Sequence, residues 1–272
     1  MTAALPHSLR RPSRRALLRA FLGLAAAGPL MTRRPAGAQG ITLPDGRYYD
    51  AYVPAATKEA QFHHYTCEFD AAWVVLATFG HDIGFDEQIA IVGHDTSIEP
   101  YYEARENGFV IYGGDITTAF CGNYHENYLA RTTGQAMMPI FERYNLPASF
   151  VRDQQGIMDT LDGGGLVWMK ATADFLPWAD TTWITPQGLE LPTVLGNDHA
   201  VVVMGYNELG VVIRDVLGPT SSNWERLYEY DIPWDTFLGV FGAQDSDGIG
   251  VLPPDNEVAS TGRVVEPPPL SS

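Results

Sequence analysis

The run AVVVMGY, from Ala200 to Tyr206, is followed by Asn-Glu-Leu-Gly and then by VVIRD, from Val211 to Asp215. Seven apolar residues with no polar interruption read as a buried strand. A four-residue connection is too short for a crossover, so the returning run must pair antiparallel with the first. The hairpin therefore commits the chain to an antiparallel sheet with a covered core. It also sets His199 and Asp215 near the same end of one ladder, with the register left to the turn.

Upstream the periodicity changes. Phe69, Ala72, Trp73, Val75, Leu76 and Phe79 recur at three- and four-residue spacing, which predicts a helix over 67–79 stopped by Gly80. Glu68 and Asp70 in its first turn suit the positive end of the helix dipole. Further helices are expected at 86–92, 134–146 (where Pro139 can introduce a kink) and 154–161, the last ended by Gly163, Gly164 and Gly165. Strands are expected at 108–114, 148–152, 166–171, 182–184 and 188–191. Helices lead and strands follow, so the fold class is α+β, with N-terminal helices packed on one antiparallel sheet.

The first 38 residues stand apart. Ser13-Arg14-Arg15-Ala16-Leu17-Leu18-Arg19 reads as a twin-arginine motif, followed by an apolar run from Ala20 to Met31 and an Ala36-Gly37-Ala38 cleavage site. That run is about 12 residues, short of the roughly 20 a membrane span needs. The twin-arginine export machinery is thus an expected partner, delivery is extracellular or periplasmic, and no stable membrane insertion is expected after cleavage. Residues 39–60 read as an irregular lead-in with one short strand, 61–252 as the folded domain, and 253–272 as a disordered Pro-rich tail.

Seven of the 17 basic residues lie in those first 38, so ten face 33 acidic residues in the remainder, a net charge of −23. Such a surface repels nucleic acid and anionic lipid, which excludes both as partners.

The chain has two cysteines, Cys67 and Cys121. Cys67 opens the first helix, where it reads as a core residue, half of a disulfide, or a nucleophile. A nucleophilic cysteine needs a base and donors for the oxyanion formed on the attacked carbonyl. Gln61, six residues upstream, has a side-chain amide to pair with the Cys67 backbone N–H. His199 is the candidate base and Asp215 the candidate orienting group.

Gln-x5-Cys at a helix start, then His-Ala-Val-Val-Val-x-Gly-Tyr, then Val-x-Ile-x-Asp, resembles the papain-like cysteine peptidases. Among these it is most similar to the bacteriocin-processing (double-glycine leader) peptidase family and its secreted stand-alone relatives. The likeness spans roughly 60–250, with 154–171 fitting the family's middle and 234–237 its C-terminal part. It implies a papain-like fold, a peptide or protein substrate, and hydrolysis through a thioester. It puts Cys67, His199, Asp215 and Gln61 at the nucleophile, base, orienting and oxyanion positions, and it implies no cofactor. No ATP-binding or membrane-spanning region is expected after the domain, unlike the transporter-linked members, so coupling to leader export is not carried over.

Other readings stay open. The same fold can serve as a catalytically silent module that binds peptide or glycan, or as an acyl or peptidyl transferase on the same thioester. His63, His64, His81, His94 and His125 lack HExxH or paired-cysteine spacing, so no metal site is expected. Cys121 and His125 have the spacing of one helix face. Trp168, Trp178, Trp183, Trp224 and Trp234 are candidates for core or cleft wall, with one or two lining a peptide groove.

Overall fold

The computed structural model describes residues 40–106, 108–176, 179–219 and 224–254. The expected export signal, Trp178 and nearly all of the Pro-rich tail lie outside them. Seven strands form the main sheet: β1 (Ala51–Tyr52), β2 (Ala148–Val151), β3 (Leu166–Thr172), β4 (Asp198–Tyr206), β5 (Gly210–Arg214), β6 (Glu229–Pro233) and β7 (Gly248–Val251). Their order is β6-β5-β4-β3-β7-β2, every neighbouring pair antiparallel. Short β1 joins the end of β4 beyond the last β3 pair, at Gly205 and Tyr206. The lead-in is therefore more ordered than its Gly/Pro punctuation suggests, because β4 outruns β3 and leaves ladder positions to fill.

The β4–β5 hairpin forms as the sequence predicts. Asn207 accepts the Leu209 and Gly210 N–H groups on Oδ1, at 2.8 and 3.1 Å, closing the turn. A bulge lies between Val203 and Gly205. Bulges add local twist, and this one shifts the register of the turn end against the site end.

Among the described residues, α1 (Cys67–Thr78), α3 (Gly134–Arg143), α4 (Gln154–Asp162) and α5 (Trp234–Ala243) cover this sheet, and α2 (Phe85–Val92) packs on α1 and α3. Phe69, Ala72, Val75 and Leu76 of α1 and Ile140 and Phe141 of α3 share one core with Trp168, Ala200, Val202 and Met204. Val201, Val203, Val167 and Met169, of the opposite parity, pack with Ile157 and Leu161 of α4 and Phe237 and Phe241 of α5. Both sheet faces are covered, which is why β4 reads as an unbroken apolar run. Helix α1 ends in a Schellman motif: Gly80 has φ 90°, and the Gly80 and His81 N–H groups return to Ala77 O and Leu76 O.

The expectation of one sheet is corrected by a second one. Four strands, ordered Glu190–Val194, Asp180–Ile184, Gly108–Tyr112 and Tyr101–Arg105, form a mixed sheet whose Thr182–Ile184 segment runs parallel to Val110–Tyr112. Its small core holds Ile111, Ile116, Cys121, Leu129 and Trp183. Cys121 lies in a two-residue strand and His125 beyond it, so they do not share a helix face. Among the described residues no helix is long and apolar enough to cross a membrane.

Candidate active site

Cys67 is the first residue of α1, at the end of the sheet where β4 begins. Phe69 N–H and Asp70 N–H turn back to Thr66 O at 2.9 and 3.0 Å, and no described acceptor lies on the Cys67 N–H. That donor sits at the positive tip of the helix. The preceding arm is tied to α1 by two side chains. Phe62 N–H donates to Asp70 Oδ1 at 2.8 Å, His63 N–H to Thr66 Oγ1 at 2.9 Å, and Thr66 Oγ1 lies 2.7 Å from Asp70 Oδ2. Lys58 closes the arrangement from outside, 3.4 Å from Asp70 Oδ1 and stacked on the Phe62 ring.

Gln61, Cys67 and His199 line one cavity of about 230 Å³, together with His64, Tyr65, Tyr128 and Leu217. His199 Nε2 lies 2.8 Å from Asp215 Oδ1. The ladder explains this pair. Val202 opposes Arg214, so Asp215 falls opposite Val201, and His199 is two residues further along the same face. Diagonal neighbours of this kind are within side-chain reach. Asp215 is wholly buried and also accepts Leu217 N–H and the Tyr230 hydroxyl, each at 2.8 Å, with Arg226 Nη1 at 3.4 Å from Oδ2. Burial works against its charge, but His199 and Arg226 outweigh it and hold the carboxyl well below the usual range.

Both cysteines are free and buried. Burial, with Asp95 and Asp115 nearby, pushes Cys121 up to about 12, and that residue does not line the cavity. Burial also raises the Cys67 thiol well above its ordinary value, and adjacent Glu68 adds to the effect. The thiol donates to Glu68 Oε2 at 3.3 Å. His199 is not among its hydrogen-bond partners, so the sulfur rests as a thiol turned toward a carboxylate.

Glu68 and Asp70 lie in the first turn of α1, as the sequence predicts, and each has an internal partner. Both are buried, Glu68 against Lys170 and Asp70 inside the arm. Sequence reading also passes over Thr66, Lys170, Asp198, Arg226 and Tyr230. Lys170 alone left a signal: a cation inside the apolar run LVWMKAT has to find a buried anion.

Of the tryptophans, Trp168 and Trp183 are core and Trp224 is exposed, and none of the described ones lines the cavity. The aromatic residues of the cavity wall are Tyr65 and Tyr128, beside His64 and His199. Among the described residues no group of three or more His, Cys, Asp or Glu is arranged to hold a metal ion.

Helices packed on an antiparallel sheet give an α+β fold of the papain-like kind. No family model matches the sequence, and no curated protein matches it. Among solved structures, one from Bacillus anthracis, provisionally described as a C39-like peptidase, aligns with a TM-score of 0.57. The alignment covers 74% of this chain and 96% of that one at 18% identity, a likeness of fold.

Proposed function

We propose that the chain is a cysteine peptidase, an exported relative of the bacteriocin-processing peptidases, acting on peptide bonds. The observation that carries this reading is the shared cavity: Cys67, Gln61 and His199 line it, and Asp215 stands behind His199 at 2.8 Å. With Nε2 engaged by Asp215, His199 Nδ1 is the nitrogen left to work on the sulfur. In the proposed cycle Nδ1 takes the Cys67 proton as Sγ attacks the amide carbon. The Gln61 amide and the Cys67 N–H receive the oxyanion, and Nδ1–H then protonates the departing amine. Water, deprotonated by the same nitrogen, cleaves the thioester and frees the carboxylate. Asp215 stays ionised throughout and holds the ring.

One observation favours a silent binding module instead: the thiol rests on Glu68. The two readings part on one experiment. Cys67→Ala is expected to fold normally while losing both peptide hydrolysis and labelling by a thiol-directed electrophile. Hydrolysis undiminished in that variant overturns the enzyme reading. A wild-type Cys67 that no electrophile labels at any pH, with no hydrolysis, establishes the module.

A further inference from the structure

Cys67 is followed by Glu68, and His199 is preceded by Asp198. Both acids reach the same ammonium: Lys170 Nζ lies 2.6 Å from Glu68 Oε1 and 2.6 Å from Asp198 Oδ2. The three side chains are at most 5% exposed. Lys170 sits on β3 directly opposite Ala200 of β4, so its side chain rises on the face that α1 covers. Each acid is held on its other side as well. Glu68 Oε1 accepts Thr132 N–H at 3.3 Å and Glu68 O accepts the Trp168 indole at 2.9 Å, while Asp198 Oδ1 accepts Gln244 Nε2 at 2.6 Å. Glu68 Oε2 takes the Cys67 thiol.

We propose that the Glu68–Lys170–Asp198 bridge is the positioning device of the site. It pins the residue after the sulfur and the residue before the imidazole to one cation, and it sets the charge that the sulfur meets. The inference rests on the peptidase reading and names residues outside the proposed catalytic set, although Asp198 also lines the cavity. Two carboxylates on one ammonium in a dry interior are costly unless the geometry is held on all sides, as it is here. A hydrophobic filler would stabilise the fold at least as well, so the bridge answers to position and charge.

The charged or titratable groups around the sulfur come from each packed element. Glu68 comes from α1, Lys170 from β3, Asp198 and His199 from β4, His64 and Tyr65 from the arm, and Tyr128 from the segment before α3, with Arg131 behind Asp198 at 3.8 Å from its Oδ2. Glu68 and Lys170 act on the thiolate in opposite senses, the carboxylate against it and the ammonium for it.

The test is the pH dependence of Cys67 alkylation by iodoacetamide in the full chain, read by mass spectrometry of the Cys67 peptide. Glu68→Gln keeps the shape and should move the midpoint down by about one pH unit or more, a tenfold gain in thiolate at a fixed lower pH. Lys170→Met should move it up by a similar amount, and the double variant should return toward wild type. Loosening alone would shift all variants the same way or none, and either result overturns the proposal. Should Lys170→Met not fold, the direction of the Glu68→Gln shift decides. His199→Ala separates the two claims. Wild-type alkylation and hydrolysis indifferent to that change sink the peptidase reading, whereas a His199-dependent site with unmoved Glu68→Gln and Lys170→Met profiles sinks the bridge alone.

Discussion

Asp70 holds the arm that carries Gln61 by accepting Phe62 N–H and facing the Thr66 hydroxyl, and burial raises its carboxyl to about 7. An unfolded aspartate titrates near 3.8. Between those two values the folded chain keeps a proton that the unfolded chain has released. Stability must then fall as pH rises through that window, by up to roughly 4 kcal/mol for this group. Asp215 works in the opposite sense. Its depressed carboxyl contributes stability above the ordinary aspartate range, lost as pH drops through its lower folded value. Asp70→Asn removes only the first slope. Urea midpoints at pH 5 and pH 8 should differ less in that variant than in wild type, and an unchanged difference refutes the assignment. Gln61 is coupled to the same group, so Asp70→Ala should lower kcat more than it raises KM.

Secondary structure was legible in the sequence wherever one face of an element is apolar and the other is not, or where both are buried. The β4–β5 hairpin, α1 and the Gly-stopped α4 are of this kind. Tyr101–Arg105 is exposed along its whole length, so it carries no burial pattern to read. Strand β7 reads GIGV, and its glycines argue against a strand on propensity alone. The reason is packing: a Cβ at Gly250 would stand 2.4 Å from Thr160 Oγ1 and 2.9 Å from Val151 Cγ2. Helix α4 lies so close to the sheet there that only hydrogen fits. Gly250→Val should therefore lower stability by about 1–3 kcal/mol through overpacking, measured in urea. Gly250 faces α4, on the side of the sheet opposite α1 and Cys67, so kcat of the folded fraction should hold. A neutral substitution would mean that α4 is free to lift. Of the candidate site, Gln61, Cys67, His199 and Asp215 were picked out by their order along the chain and the resemblance it carries, and the fold brings Gln61, Cys67 and His199 to one cavity. Glu68, Asp198 and Tyr230 were not picked out, because any helix tip or strand end carries such residues, and only the fold shows that they converge.

At the scale of the molecule, 33 acidic residues outnumber 17 basic ones. The described cations are largely committed to internal partners. Arg47, Lys58, Arg105, Arg131, Arg152, Lys170, Arg214 and Arg226 each lie within ion-pair distance of a carboxylate, and among the described residues Arg143 alone does not. The surplus acid is thus left on the surface, where like charges repel through water. Salt acts unequally on the two populations. Surface repulsion decays over a Debye length of about 10 Å at 0.1 M, whereas buried pairs such as Lys170 with Glu68 are screened far less. Raising sodium chloride from about 0.02 to 0.5 M should therefore raise the thermal midpoint by a few degrees, since relieved repulsion exceeds weakened pairing. A midpoint that falls would show that exposed pairs such as those of Arg47 carry more of the stability than their exposure allows. The same argument extends to substrate. A field of this sign draws in cationic peptides, and salt should reduce kcat/KM for a lysine-rich peptide more than for a neutral one of equal length.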